Sequence, residues 1–379
     1  MTLTQNHKSI FFLLLSVGLL AISFGIDVVA FPATLAAHNI TPIQVGIASV
    51  FELSAGIIIS FFLSRIVAKM GMMKSLFFFA TFYAAAVAAI FYFVSFYLWL
   101  FLIFTIGTCW FAFFTIRQSW LNMIVENKNR SVVLALFSTV LCGGITVGPI
   151  LVKIFGIETH RIFAISASFI FLAFLALLPL YKVQPDQIES ERISLKKFFK
   201  ENPRCFLTRI FFEIQCDCIL VFGVIFGVKI GFKSEDAGLL TSAFMLSGLF
   251  DILLGFLIKK NNPYKLINLG FFSALLCGIG IILFQQSYLL LVIIYFFLGS
   301  SLALTYIASS TIINSQYGSK QLLAANSTFQ SIGVIGMLLG SIIGGIFMEV
   351  FSLYGFALTI IFSNLAYLIF IFFYGQKQN

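Results

Sequence analysis

The chain has 379 residues, of which 60% are hydrophobic and 10% are charged, and its mean hydropathy is +1.07. Soluble domains carry about 25% charged residues, and 49 phenylalanines are more than a water-soluble core of this size could bury. This composition excludes an ordinary soluble domain and predicts a protein of the lipid bilayer. The formal net charge of +9 does not predict a nucleic-acid partner, because the basic residues form no stripe interleaved with aromatic residues.

Twelve apolar runs follow one another, and each is about the length, 20 residues, that a spanning helix needs. The predicted spans are 9–36, 43–63, 75–94, 97–124, 131–156, 161–181, 205–230, 236–258, 266–284, 288–312, 322–348 and 353–374. The only long polar stretch follows the sixth run. We therefore predict an all-α integral membrane protein, with a six-helix bundle at 1–181, a cytoplasmic linker at 182–204 and a second six-helix bundle at 205–379.

The lysines and arginines of the short loops predict the orientation of the chain. With the N-terminus inside, 18 basic residues, Arg209 among them, fall in cytoplasmic segments and four fall on the opposite side. Arg117 is the remaining one, inside a span. Both termini and the central linker are therefore expected in the cytoplasm. The first run is also too long for the h-region of a cleavable signal peptide.

Two short segments recur about half a chain apart. GIDVVAF around Asp27 in the first run is similar to QCDCILVF around Asp217 in the seventh. FELS at 51–54 in the second run is similar to FMLS at 244–247 in the eighth. Two repeated halves are a common plan of secondary transporters, so the sequence predicts two six-helix halves related by internal repetition.

The layout resembles the major facilitator superfamily, in which six helices, a cytoplasmic linker and six further helices follow one another. SRIVAKMGMMKSL at 64–76 is similar to the loop signature Gly-x-Leu-Ala-Asp-Arg-x-Gly-Arg-Lys of that superfamily. Ser64 and Ala68 stand in place of its first glycine and its aspartate. The resemblance implies a loop that takes part in conformational change, with the residues Arg65, Lys69, Gly71 and Lys74.

A second resemblance lies in the fifth run. GITVGP at 144–149 is similar to the Gly-x-x-x-Gly-Pro element of proton-coupled exporters. The resemblance implies a hinge in helix five at Gly144, Gly148 and Pro149. The glycine pair expected directly after the element is absent from the sequence.

A third resemblance lies at the end of the fourth run. SWLN at 119–122 is similar to a poorly characterised bacterial branch of the superfamily, which carries Glu-Ser-Trp-Leu at the end of helix four, and Gln118 occupies the acidic place here. The resemblance implies a multi-pass protein of the bacterial cytoplasmic (inner) membrane.

Acidic side chains inside a span are costly and mark transport paths or proton relays. Asp27 and Glu52 lie near the middle of the first two runs, and Glu213 and Asp217 lie four residues apart on one face of the seventh. Two close carboxylates are expected to titrate as a pair. We expect these four residues to carry proton coupling or to line the substrate cavity. Two alternatives stay open: Asp27 only bonds to a neighbouring helix, and water at the cytoplasmic end simply hydrates Glu213.

FAFFTIRQSWLN, 111–122, places Arg117 about 30 Å into the fourth run, at 1.5 Å per residue. One interpretation is that Arg117 reaches the lipid headgroups, with Trp120 in an interfacial aromatic belt. The other is a gate or cavity residue that pairs with a carboxylate or an anionic substrate, next to the polar Gln118. The sequence leaves both interpretations open.

Asp251 lies closer to the cytoplasmic end of the eighth run. It is expected either at a gate or in an ion pair with Lys259 or Lys260. No metal site is expected, because Cys216 and Cys218 are two residues apart on a helix and point to different faces.

These features predict a secondary active transporter of a small organic solute, working by alternating access, coupled to protons and directed toward export of a drug or metabolite. The alternative is proton-driven import of a metabolite or an anionic metallophore (siderophore) held by Arg117. A membrane-embedded enzyme is the remote alternative, since no serine or cysteine has a base close in sequence. The expected partners are a small-molecule substrate, protons and the lipid bilayer, with no cofactor and no nucleic acid, and the chain is expected to be a monomer.

Overall fold

The computed structural model describes residues 3–37, 40–90, 95–125, 130–156, 160–181, 194–317 and 319–376. Every regular element in these ranges is helical, which confirms the predicted all-α fold. The α-helices are α1 (Leu3–Ala37), α2 (Pro42–Met70), α3 (Met72–Ile90), α4 (Phe96–Ile124), α5 (Arg130–Phe155), α6 (His160–Leu175), α7 (Leu195–Glu201), α8 (Pro203–Lys229), α9 (Ser234–Leu246), α10 (Asp251–Lys260), α11 (Pro263–Leu283), α12 (Tyr288–Gln316), α13 (Ser319–Val350) and α14 (Gly355–Gln376).

Within the described residues, eleven helices are long and apolar enough to cross a membrane. The predicted span 236–258 is not one helix but the pair α9 and α10, which meet at a bend of 53° around a 3-10 turn at Ser247–Phe250. With that pair counted as one span, the total is the predicted twelve. The bend lies at a close contact with α12. A Cβ on Gly299 of α12 would clash with the Phe244 carbonyl and the Ser247 hydroxyl.

The helices group into two compact units. The first unit contains α1, the part of α2 from Ala48 onward, and α3 to α6. The second unit contains α7 to α14 and the start of α2 through Ile47. In the first unit α1 packs against α5 and α6, and α3 packs against α4 and α6. In the second unit α8 packs against α13, α9 and α14, and α11 packs against α12 and α14.

The first and fifth spans of each unit meet through glycines. The glycines at these contacts are Gly144 and Gly148 on α5 and Gly336 and Gly340 on α13. A Cβ on Gly148 would overlap the backbone of Gly25 on α1, and a Cβ on Gly340 would lie 2.7 Å from the carbonyl oxygen of Ile214 on α8. Small residues allow membrane helices to approach this closely. Both units therefore use the same glycine spacing at the equivalent helix crossing.

The described part of the predicted linker contains α7, which is anchored to the second unit; residues 182–193 lie outside the described part. The Phe198 ring is fully buried and lies 6.3 Å from the rings of both Tyr317 and Phe329. The Tyr317 hydroxyl donates a hydrogen bond of 2.6 Å to the Glu201 carboxylate. Burial and this hydrogen bond raise the pKa of Tyr317 to about 12, so the hydroxyl remains a donor at physiological pH.

Candidate functional site

Asp27 lies at the contact of three helices in the first unit. Its side chain is buried, and its carboxylate accepts a hydrogen bond of 2.7 Å from the Ser166 hydroxyl on α6 and one of 3.1 Å from the Tyr83 hydroxyl on α3. The Ser166 oxygen also lies 2.8 Å from the Ser23 hydroxyl on α1. In the described part of the chain, the polar partners of Asp27 are therefore neutral hydroxyl groups.

Glu52 belongs to the same region of the first unit. It lies on α2, its side chain is half-buried, and it is within electrostatic range of Asp27 and Tyr83. Its carboxylate has no hydrogen-bond partner among the described residues. The close packing of α2 on α4 fixes its backbone, because a Cβ on Gly107 would overlap the Glu52 carbonyl. The fold therefore brings these two predicted carboxylates, 25 residues apart in the sequence, into one neighbourhood.

Arg117 points into the first unit and not toward lipid. Its side chain is 1% exposed, and its Nη1 donates hydrogen bonds to the Ser16 carbonyl (2.7 Å) and the Ser16 hydroxyl (3.2 Å) on α1. The guanidinium also lies 4.4 Å from the centre of the Phe113 ring. Trp120 is fully buried, so its assignment to an interfacial belt is wrong: the side chain packs inside the bundle. Gln118, next to Arg117, is half-buried.

In the second unit Glu213 is paired with an arginine. Arg209 lies one turn earlier on α8, and its Nη2 is 2.7 Å from the Glu213 carboxylate. Both side chains are about nine-tenths buried. The sequence places Arg209 with the cytoplasmic cations, and the structure places it on the buried face of α8, which begins at Pro203. The sequence indicates this pair, because an arginine and a glutamate four residues apart lie on one helix face.

Three aromatic rings surround the Arg209 guanidinium. The ring centres of Tyr306, Phe329 and Phe212 lie 4.9, 5.2 and 5.5 Å from it. The amide oxygen of Gln330 accepts a further hydrogen bond of 2.7 Å from Nη2. Phe212 is three residues from Arg209 on α8, but Tyr306, Phe329 and Gln330 come from α12 and α13, so neighbouring sequence does not reveal those contacts.

Asp217 lies one turn after Glu213 on the same face of α8, as predicted. It is buried, and the Ser341 hydroxyl on α13 donates to its carboxylate at 2.5 Å. Its sequence match in the first unit, Asp27, bonds instead to α3 and α6. The two aspartates therefore share a place along their helices but contact different neighbours.

Asp251 begins α10, directly after the bend in the eighth span. Its Oδ1 is buried and has no hydrogen-bond partner in the described part of the chain. The alternative ion pair with Lys259 or Lys260 does not form, because those exposed side chains lie at the other end of α10, about 12 Å along the helix axis. An acidic group in the first turn is compatible with the positive end of the helix dipole.

These observations can be compared with known proteins. A family model described as "Major Facilitator Superfamily" matches residues 13–287 and 205–378. The chain belongs to the Major Facilitator Superfamily. No curated protein matches the chain. Superfamily membership places it among transporters and not enzymes, so the membrane-embedded enzyme is excluded.

Solved transporters of the superfamily share the fold. The nucleoside transporter NupG superimposes with a TM-score of 0.78 at 14% identity, covering 96% of this chain and 97% of that one. A bacterial homologue of the human lysosomal transporter Spinster, inward-facing and unoccupied, gives 0.75 at 14% identity, covering 98% and 96%. A POT family transporter in complex with a thioalcohol-conjugated peptide gives 0.75 at 11% identity, covering 97% and 96%. At these identities the similarity concerns the fold alone.

The loop that resembles the superfamily signature is a one-residue connection. Gly71 joins α2 to α3 with a φ of +81°, which L-residues with side chains rarely adopt. Its amide donates a hydrogen bond of 2.8 Å to the Val67 carbonyl, which closes the end of α2. The side chains of Arg65, Lys69 and Lys74 are exposed. The glycine is therefore required by the turn, and the cations are available at the surface of this connection.

The element similar to Gly-x-x-x-Gly-Pro lies in a continuous helix. Pro149 is inside α5, which runs unbroken to Phe155. Gly144 and Gly148 both face the backbone of α1. Their observed role is close helix packing, and a hinge at this element stays a prediction.

Proposed function

We propose that the chain is a secondary active transporter that moves a small organic solute by alternating access and couples this movement to protons. Asp27 carries the proposal: a buried carboxylate on a spanning helix whose partners, Tyr83 and Ser166, are neutral hydroxyls. Intramembrane carboxylates of this kind form proton relays. A carboxylate without a cationic partner can bind and release a proton without breaking an ion pair.

The hydroxyl partners suit a group that changes its protonation state. A hydroxyl is both a donor and an acceptor. Ser166 and Tyr83 can donate to the charged carboxylate, and Ser166 can turn to accept from the protonated acid. Asp27 therefore keeps a hydrogen bond in either state, which lowers the cost of cycling between them. Glu52, within electrostatic range, is the second proton-binding group of the first unit in this proposal.

In the second unit we assign the coupling role to Asp217, held by Ser341. Glu213 shares its helix face but is neutralised by Arg209, so it responds to protons only when that pair opens. The proposal keeps Arg117, Gln118 and Asp251 as residues that form a gate or pair with an anion or carboxylate.

The proposed conformational change uses the Gly71 connection, with its three neighbouring cations, and the α1–α5 crossing at Gly144, Gly148 and Pro149. We propose that the chain works as a monomer in the inner membrane of a bacterium. In this proposal both termini lie in the cytoplasm, as does the linker 182–204 between the bundles 1–181 and 205–379.

The test is flux in proteoliposomes with an imposed pH gradient, screened over a panel of solutes. We expect gradient-driven flux of at least one solute in the wild type, and its loss in Asp27→Asn and Asp217→Asn. Glu349→Gln is the matched control, because Glu349 is an exposed carboxylate at the end of α13. Flux that ignores the gradient, or that survives both asparagine variants, would refute the coupling.

The proposed direction is export, which rests on the helix-five element at 144–149. Proton-driven import of a metabolite or an anionic metallophore is the second candidate, favoured by the buried Arg117. The orientation of the gradient in the same liposomes distinguishes them: an exporter moves solute against the proton flow, and an importer moves solute with it.

A further inference from the structure

Two buried N–H donors on α4 have no acceptor among the residues that the structure describes. The Nη2 of Arg117 and the Nε1 of Trp120 are both inaccessible to water and without a hydrogen-bond partner. The two side chains are 1% and 0% exposed. Residues three apart on a helix lie on the same face. The first unit therefore contains two neighbouring donors that can each donate a hydrogen bond to an acceptor.

The positive charge of Arg117 also lacks a counter-ion. In the described part of the chain it forms no ion pair with a carboxylate, and its hydrogen bonds go to the carbonyls of Phe113 and Ser16 and the Ser16 hydroxyl. The nearby Tyr83 hydroxyl already donates to Asp27. A buried charge that lacks a counter-ion is costly, and arginine does not lose its proton in proteins. An anionic ligand would supply the missing charge.

Arg209 in the second unit shows how the same chain treats a buried arginine that has a counter-ion, although its Nε also lacks an acceptor among the described residues. It has a carboxylate at 2.7 Å, an amide oxygen at 2.7 Å and three aromatic rings around it. Within the described residues, Arg117 has one ring, that of Phe113, and no acidic group. The difference between the two is the counter-ion.

The surface next to these donors is aromatic. Trp110 and Phe114 lie seven and three residues before Arg117, on the same face of α4, and both are half-buried. The Trp110 ring stacks on Phe24 of α1 at 4.3 Å. A bare inorganic ion would make no use of this surface, whereas an organic acid with a planar apolar body would pack against it.

We propose that Arg117 and Trp120 form a binding subsite for the carboxylate of an organic acid, with Trp110 and Phe114 contacting its apolar part. This rests on the proposed transport function and names its substrate class. Arg117 and Trp120 donate to the two oxygens of the carboxylate, for which the guanidinium geometry is well suited. Both donors are closed off in this structure, so the acid enters when α1 and α4 separate during the transport cycle.

The test is thermal unfolding of the purified full-length chain in detergent, with benzoate, benzamide or inorganic phosphate at matched ionic strength. Benzamide has the shape of benzoate without its charge, and phosphate is a charge without an apolar body. We expect benzoate to raise the Tm of the wild type more than either. Equal effects of benzamide, equal or larger effects of phosphate, or no effect of benzoate would overturn the proposal.

The variants separate the two donors. Arg117→Gln should abolish the benzoate effect, and Trp120→Phe, which keeps a ring but removes the N–H, should raise the half-effective benzoate concentration about tenfold or more. Phe101→Leu is the control on the same helix, because Phe101 is 64% exposed. Where Arg117→Gln fails to fold, Trp120→Phe decides: unchanged benzoate dependence overturns the proposal. No pH gradient is involved, so this failure is distinct from failure of proton coupling.

Discussion

The Arg209 guanidinium forms a 2.7 Å ion pair with Glu213, one turn along α8, and both side chains are about nine-tenths buried. Removing one partner of a buried pair leaves an uncompensated charge, which costs about 3–5 kcal/mol. We predict this loss for Glu213→Gln and for Arg209→Gln, and a smaller loss for the double variant, measured by thermal unfolding in detergent.

Two controls accompany that prediction. Lys197→Ala breaks an exposed pair of 3.9 Å with Glu201 and should change stability by less than about 1 kcal/mol. Arg117→Gln removes a buried arginine that has no acidic partner and should cost less than Arg209→Gln. If Glu213→Gln were no more destabilising than Lys197→Ala, the buried pair would not stabilise the second unit.

The glycine crossings give a second prediction. Gly148→Ala and Gly340→Ala should each destabilise the chain by about 1–3 kcal/mol, because the added methyl overlaps the backbone of α1 or α8. Gly255→Ala on α10 is the matched control: beyond its own helix backbone, no described atom lies within 4 Å of its Cβ position, so it should be neutral or slightly stabilising. Thermal unfolding measures all three. Equal unfolding midpoints for all three variants would show that neither helix crossing is tightly packed.

The Gly71 connection gives a third prediction, which follows from its backbone conformation. With a φ of +81°, Gly71→Ala is strained and should cost about 1 kcal/mol. Lys69→Ala, on an exposed side chain two residues earlier, should cost little. Comparison of their unfolding midpoints tests whether the backbone conformation of this turn or its charge matters for stability. A neutral Gly71→Ala would contradict the glycine requirement.

The docking of α7 gives a fourth prediction. Phe198 is fully buried, whereas its neighbour Phe199 is 44% exposed. Phe198→Ala should cost about 3–5 kcal/mol and should make the linker more accessible to limited proteolysis. Phe199→Ala serves as the control and should change either measurement only slightly. Similar protease sensitivity in both variants would mean that α7 is not anchored through Phe198.

Hydrophobicity along the chain was sufficient to predict the spans, because a bilayer requires long apolar helices. It did not predict the break between α9 and α10, since that stretch is apolar throughout and the bend lies at its contact with Gly299 of α12. The sequence predicts a polar linker at 182–204 and gives no sign of α7 within it, because the anchoring of α7 depends on Tyr317 and Phe329, more than a hundred residues away.

For the candidate residues, too, the sequence predicted the positions but not the contacts. The positions of Asp27, Glu213 and Asp217 on spanning helices followed from the sequence. Their partners did not, because Ser166 and Ser341 are brought close only by folding. Arg209 is different: its spacing to Glu213 was visible in the sequence, but its position near the start of the span 205–230 led to its being counted with the cytoplasmic cations.

The central claim is that Asp27 exchanges a proton as solute crosses the membrane. The most direct measurement is the internal pH of proteoliposomes, reported by a trapped pH-sensitive dye, after addition of a transported solute without an imposed gradient. We predict a solute-dependent pH change in the wild type and in Glu349→Gln, and none in Asp27→Asn. Solute movement without any pH change in the wild type, or an unaltered change in Asp27→Asn, would contradict the account.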